Sequence, residues 1–395
     1  MQRHFSTLVP VALALGFLAL VVGIMALAPS VFTRNLGGFP YADHVARLNA
    51  PDWMRPLTGF DGVQYLIIAE NRGYFTYQQA YFPLYPLVIG VLGRYVFMGD
   101  TPWAALFVNI ISLSIALITL RALWIKLGGS PTWRAYWLIL LLPGSFFFVS
   151  VYTESFFIML VLLALYAASC QKYRTMAILG VLIGMTRLVG VFIAIPLGLI
   201  AYGETIPRTW PQKISRAQLK NVLLAMSPLL GLGIYMVYLL ITTGDALAFV
   251  SAQKAFNNNR STSIILLPQV IYRYIQIFIT AQKDVAFFVA SVEFALFGIY
   301  GVLLLLEARA LYLLHRSKKA LSSIRSGVLL FTIMNLLLPT ISGTLSSIPR
   351  YGLLSLSIIP FISTLRRPYQ IALACIFMAL NLCMLILFTL AWFVS

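Results

Sequence analysis

Asp61 follows Phe60 shortly after the first long apolar run, and residues 60–86 read FDGVQYLIIAENRGYFTYQQAYFPLYP, an acid followed by aromatics, glycine and a Pro-Leu-Tyr-Pro turn. Only 11 Asp and Glu occur among 395 residues, so an acid beside a membrane span is a candidate for chemistry. Other polar residues stand at the ends of later apolar runs: Glu70, Glu154, Arg187, Asp245 with Gln253 and Lys254, and Arg350 followed by Tyr351. A carboxylate with several fixed cations at a bilayer rim suits attack by a hydroxyl on a sugar whose leaving group is a phosphate. The acid would take the hydroxyl proton, an effect of ~10²- to 10⁴-fold, and the cations would stabilise charge growing on the phosphate. Arginine suits that second task because its planar fork matches phosphate oxygens.

Each of these residues also has a purely structural use. Asp61 can cap the helix GVQYLIIA that follows it, and Glu154 is expected to cap the span that starts at Ser155. Arg187 lies between apolar runs, where a cation either serves a function or snorkels to the interface. Lys254 and Arg260 can be solvated loop charges, and Arg350-Tyr351, which follows Pro349, can be an aromatic-belt anchor. Gly180 and Gly184 form a GxxxG pair that reads as close helix packing.

The elements that must position these side chains are membrane helices. The chain is 61% hydrophobic and 10% charged, against roughly a quarter charged in a soluble domain. Only helices or closed barrels satisfy backbone polarity in hydrocarbon, and no period-2 alternation is present, so the expected fold is an all-α polytopic membrane protein. Residues 1–395 read as a single integral-membrane domain. The run 7–28 is long enough to span and is kept as an anchor rather than a cleaved signal. A net charge of +17 suggests nucleic acid, yet the Lys and Arg fall in short loops beside spans, where topology accounts for most of them, so no nucleic-acid partner is expected. Cys170, Cys375 and Cys383 sit in apolar runs and His4, His44 and His315 are far apart, so neither a zinc site nor a disulfide framework is indicated.

Assigning the basic clusters to the cytoplasm gives about eleven crossings with the N-terminus inside and most acids outside. Residues 135–170 as one helix would measure about 54 Å, beyond the roughly 30 Å core, so the chain must turn near residues 152–155. Residues 176–203 are expected as two short segments meeting near Arg187, and residues 82–98 as an interfacial or re-entrant helix. Residues 29–102 and 244–284 become long extracytoplasmic segments that roof a site over the bilayer.

At this point the residues resemble a known family. Phe60-Asp61 with Tyr65, Ile68-Ala69-Glu70, Gly73-Tyr74 and Phe82-Pro83-Leu84-Tyr85-Pro86 looks like the bacterial branch of the GPI mannosyltransferase II (PIG-V) family. Tyr152-Thr153-Glu154-Ser155-Phe156, Thr186-Arg187, Gly244-Asp245 with Phe249 and Ala252-Gln253, and Arg350-Tyr351 continue the match in order. Phe60 departs from it, since the family commonly has Trp there. That family resembles the wider GT-C glycosyltransferases, which implies juxtamembrane helices in the first extracytoplasmic loop, a polyprenyl-phosphate sugar donor and a site facing away from the cytoplasm. It implies Asp61 as the catalytic base; beside that base, Arg350, Arg187 and Lys254 are expected to hold the donor phosphate, and Glu70, Tyr85, Glu154, Asp245, Gln253 and Tyr351 to contact sugar or acceptor. Mannose rests wholly on the resemblance. The expected activity is therefore inverting transfer of mannose or another hexose to an acceptor hydroxyl at a plasma membrane, without an organic cofactor and with a divalent ion left open. A transporter or flippase of a lipid-linked or anionic solute is the alternative; transporters tend to place polar groups at the midplane in paired halves, whereas here the acids crowd one face.

Overall fold

A computed structural model of the chain describes residues 2–35, 37–48, 50–75, 77–126, 134–206, 214–256, 265–317 and 321–394, with the side chains of 2–7, 134–135, 253–256 and 321 outside that description. In chain order the helices are α1 (Gln2–Val31), α2 (Ala42–Arg47), α3 (Asp61–Asn71), α4 (Leu84–Tyr95), α5 (Thr101–Lys126) and α6 (Arg134–Leu141). Then come α7 (Glu154–Ser169), α8 (Tyr173–Gly184), α9 (Ala194–Tyr202), α10 (Arg216–Ala225), α11 (Ser227–Thr243) and α12 (Ala248–Phe256). The last third holds α13 (Leu267–Thr280), α14 (Val285–Arg316), α15 (Ser323–Leu337), α16 (Ile348–Gly352), α17 (Ile358–Thr364) and α18 (Arg367–Thr389). Among the described residues the sole β structure is a two-residue antiparallel ladder pairing Thr205 with Ser322 and Ile206 with Leu321. The protein is all-α.

Among the described residues, five helices are long and apolar enough to cross a membrane, lying in α1, α5, α14, α18 and the segment Ser323–Ser342 that begins with α15. α10 and α11 together make a sixth candidate, bent by 42°; Pro228 opens α11 and cannot donate to the turn before it. The shorter apolar helices α4, α7, α8 and the stretch Leu188–Tyr202 complete the apolar set. α1 and α18 keep Leu15, Leu20, Leu27, Ile371, Met378 and Leu382 exposed, as lipid-facing helices do. α7 is the opposite case, with Phe157, Ile158, Val161, Leu162, Ala164 and Leu165 all buried around its circumference. An all-round apolar helix of this kind belongs at the centre, and α7 packs there between α5 and α8.

The two expected breaks are present, the first over residues 142–153 rather than confined to 152–155. Residues 135–170 divide into α6 and α7 around a 3-10 turn at Ser145–Phe148, and residues 173–202 divide at 185–187. Gly144 makes the first break feasible, because its φ of 83° lies where a side chain is disfavoured. The loop is then tied down from three directions. The Val151 N–H donates to Leu57 O at 2.8 Å, the Tyr152 hydroxyl donates to Gly59 O at 3.0 Å, and the Asn109 amide donates to Ser150 O. From α18, Asn381 accepts from the Gly144 N–H at 3.1 Å and donates to Ser145 Oγ at 2.9 Å.

The GxxxG pair does what its spacing suggests. A Cβ on Gly180 would run into Ser227, one on Gly184 into the Pro228 carbonyl, and one on Gly231 into the Val181 carbonyl, so α8 and α11 meet backbone to backbone. We expect Gly184→Leu to cost about 1–3 kcal/mol through overpacking, read as a lower thermal midpoint in detergent. Gly16→Leu, at a position with nothing within 4 Å, should leave that midpoint unchanged.

Candidate functional site

The site is built where four chain breaks meet. Asp61 is the first residue of α3 and Glu154 the first residue of α7. Arg187 sits in the extended break after α8, and Arg350 lies on the short helix α16. Phe60, just before Asp61, takes φ 54° and ψ −117°, a conformation rarely adopted by a residue with a side chain. Its ring is held against Phe39, Phe388 and Phe393, each at 5.4 Å between centroids. Packing of that ring therefore over-determines the backbone that launches Asp61.

The four charged groups form one ladder. Arg350 Nη1 donates to Asp61 Oδ2 at 2.5 Å and Arg350 Nε donates to Glu154 Oε1 at 2.8 Å. Arg187 Nη1 donates to the same Glu154 oxygen at 2.7 Å and to Thr153 Oγ1 at 3.2 Å. Aromatic faces line both cations: the Arg350 guanidinium lies 4.7 Å from the Tyr152 ring and 5.4 Å from that of Phe147, and Arg187 lies 5.6 Å from Tyr351 and 5.9 Å from Phe157. Exposure grades along the ladder, from 0% for the Glu154 side chain through 8% for Arg350 to 27% for Asp61. Asp61 is thus the acid that can meet a ligand, and Glu154 is a buried anchor.

Neither acid caps its helix. The Glu154 carboxylate makes no bond to the first turn of α7, and the expectation that it would cap is corrected: two guanidinium donors reach it from outside the helix and outcompete its own backbone. The Asp61 carboxylate likewise turns away from α3, accepting from Arg350 and from the Tyr81 hydroxyl at 3.0 Å. Burial, reinforced by the Asp61 charge, holds the Tyr81 hydroxyl well above its ordinary range, so it stays a donor. Burial pushes Tyr65, one turn along α3, up to about 12 despite the neighbouring arginines.

The other expected site residues are placed as follows. Tyr351 belongs to the cluster through Arg187. Tyr85 is wholly buried behind it, its ring 5.3 Å from Tyr65. Glu70 is not brought to the cluster: nine residues after Asp61 it emerges on the opposite side of α3, with Oε2 3.3 Å from His44 Nε2 of α2. Asp245 is not brought there either; it is exposed and accepts the Leu247 N–H at 2.8 Å before α12. The backbone of Gln253 and Lys254 lies in α12, while their side chains, and all of Arg260, lie outside the described residues.

Several participants escaped the sequence reading. Tyr81 and Thr153 bond directly to the ladder, though nothing in their spacing marks them. A cavity of about 1000 Å³ opens beside Phe60, with Arg273, Tyr274, Glu293, Trp392 and Phe393 among its walls. Glu293 is buried in α14 and accepts from the Tyr274 hydroxyl at 2.8 Å, and Arg273 donates to Gly343 O at 3.2 Å. An acid inside an apolar run was a visible signal for Glu293; Arg273, within an ordinary amphipathic helix, carried none. Among the described residues no three His, Cys, Asp or Glu gather as a metal site. Comparisons of the chain with protein-family models, curated proteins and solved structures give no match.

Two outcomes check this arrangement. Arg350→Gln should destabilise the fold by about 3–5 kcal/mol because it removes the buried cation shared by Asp61 and Glu154, leaving Asp61 without a cation and Glu154 with Arg187 alone, whereas Asp61→Asn, after which Arg350 keeps Glu154, should cost clearly less, both read as denaturation midpoints in detergent. Burial raises the Glu70 carboxyl above its ordinary 4.5, with His44 opposing. Protonated Glu70 is therefore favoured on folding, so its contribution is complete below about pH 4.5 and is lost as pH rises through the folded value. Glu70→Gln should remove that slope and raise the midpoint at neutral pH relative to the parent.

Proposed function

We propose that the chain is an inverting glycosyltransferase that moves mannose or another hexose from a polyprenyl-phosphate carrier to a hydroxyl acceptor at the extracytoplasmic face of a plasma membrane. The observation that carries this reading is the Asp61 carboxylate, oriented through both oxygens, partly exposed, and adjacent to Phe60 in the wall of the large cavity. A carboxylate offers about four acceptor positions, and Tyr81 and Arg350 occupy two. A third is free to take the acceptor proton as that oxygen attacks the anomeric carbon. The bond from that carbon to the phosphate oxygen breaks, its electron pair leaves on the phosphate, and configuration inverts in a single displacement. The same proposal includes about eleven crossings with a cytoplasmic N-terminus, in which the short helices α6 with α7, α8 with α9, and α17 supply the crossings beyond the long spans.

The geometry reassigns roles within this reading. Arg350 and Arg187 are neutralised by Asp61 and Glu154, so Arg350 serves as a positioning residue for Asp61. Arg273 lines the cavity and makes no ion pair among the described residues, which makes it the better partner for the donor phosphate. A transport reading draws on the bent pair α10 and α11 and on Glu293 inside α14, since broken helices and buried acids are common in transporters.

Purified protein in proteoliposomes, given radiolabelled polyprenyl-phosphate mannose and membrane extract as acceptor source, separates the two. Transfer should fall by about 10²-fold or more in Asp61→Asn, with the variant still monodisperse, and Arg273→Gln should chiefly raise the donor KM. Undiminished transfer by Asp61→Asn removes that carboxylate from the mechanism. Movement of the labelled lipid across the bilayer without transfer favours the transporter.

A further inference from the structure

A second, smaller slot lies at the far end of α3 from Asp61. Its volume is about 360 Å³, and Leu87, Gly90 and Val91 of α4 and Ile234 and Tyr238 of α11 supply much of its apolar wall. Arg72 and Arg94 also line it, and neither forms an ion pair among the described residues. Arg72 takes φ 55° where α3 ends, a left-handed position that glycine or asparagine usually fills. Gly90 brings α4 onto α3, since a Cβ would come within 2.8 Å of the Ala69 carbonyl oxygen. Outward from the slot, Leu87, Val91 and Tyr95 form an exposed apolar stripe one turn apart along α4.

Two unanswered guanidinium groups over an apolar slot and stripe are complementary to one kind of ligand. Arginine forks bind phosphate oxygens bidentately, and an aliphatic stripe on a membrane protein suits acyl chains. We propose that this slot binds the phosphate headgroup of a membrane lipid, with Arg72 and Arg94 on the phosphate oxygens and the acyl chains along Leu87 and Val91. The site is separate from the Asp61 cluster. Asp61 opens α3 and Arg72 follows its last residue, eleven residues on and about 16 Å away along the axis. Tyr65, one turn from Asp61 along α3, packs against Tyr85. A phosphate held at Arg72 is too distant to be a leaving group at Asp61, and the inference stands without the transferase reading.

The test uses the full chain in phosphatidylcholine nanodiscs, titrated with phosphatidylglycerol that carries a diazirine in one acyl chain. Photolysis should label peptides containing residues 87–91 or 234–238, and the labelling should fall about tenfold or more in the Arg72→Gln/Arg94→Gln double variant. The thermal midpoint of that variant in phosphatidylcholine alone reports whether it folds. Leu87→Trp, which fills the slot and keeps both arginines, should by itself abolish the slot label. Equal labelling by diazirine phosphatidylcholine, or a label that persists in the folded double variant or in Leu87→Trp, would overturn the proposal. So would competition by inorganic phosphate as effective as competition by phosphatidylglycerol, which would make the slot a free-anion site. Asp61→Asn should leave the label intact, so failure of this inference and failure of the transferase reading are told apart.

Discussion

Arg350 is a permanent positive charge with almost no access to solvent, and the centre of the fold is arranged around answering it. An isolated guanidinium in that position would be strongly unfavourable. Two carboxylates from the starts of α3 and α7 meet it, and Arg187 supplies a second cation to the more deeply buried of them. The rings of Tyr152 and Phe147 add their negative faces to the Arg350 side. Because the partners come from positions 61, 154, 187 and 350, elements remote in sequence are held in one register. Removing either inner member, Arg350 or Glu154, leaves an outer charge, Asp61 or Arg187, without its counterpart.

The same requirement explains why so many apolar helices here are short. A continuous span through residues 135–170 would carry Glu154 into hydrocarbon with no fixed partner, where a charge is costly. Breaking the helix brings Glu154 to the start of α7, and Asp61 stands likewise at the start of α3, positions where the helix dipole favours negative charge. A break exposes backbone donors and acceptors that hydrocarbon cannot satisfy. Asn109, Asn381 and the Leu57 carbonyl meet those groups in the 142–153 loop. The hydrogen bonds that make the break tolerable are therefore also the ones that orient the acid.

Much of this was legible in the sequence where a physical limit forced it. The length of a bilayer core forces a turn within 135–170, the basic residues flanking 176–203 call for a second, and both are present. Asp61, Glu154, Arg187 and Arg350 stand out because charge is rare in an apolar chain. Their mutual pairing is another matter, since hydropathy places groups by depth and says nothing of which side of a helix they occupy. Glu70 illustrates the difference: it shares the neighbourhood of Asp61 in sequence, yet half a turn of accumulated rotation delivers it to His44 instead. Glu154 illustrates another, because a helix-initial acid is a good cap until stronger donors arrive from elsewhere. Tyr81, Thr153 and Arg273 are ordinary residues whose roles exist only after tertiary packing.

α3 then acts as the ruler of this region. It is only eleven residues long, and an isolated helix of that length would be marginal. Here it is clamped at one end by Arg350 and Tyr81 through Asp61, and along its length by α4 at Gly90. A register shift of one residue would rotate its side chains by about 100°. That shift would take Asp61 out of reach of Arg350 and pull Arg72 away from the slot at the other end. The two ends are thus held to a common register by one rigid element, and a group positioned by a helix clamped in this way keeps its geometry far better than one carried on a loop. Movement at either end would cost the contacts at both, which is why the placement of Asp61 belongs to the fold as a whole rather than to the segment around it.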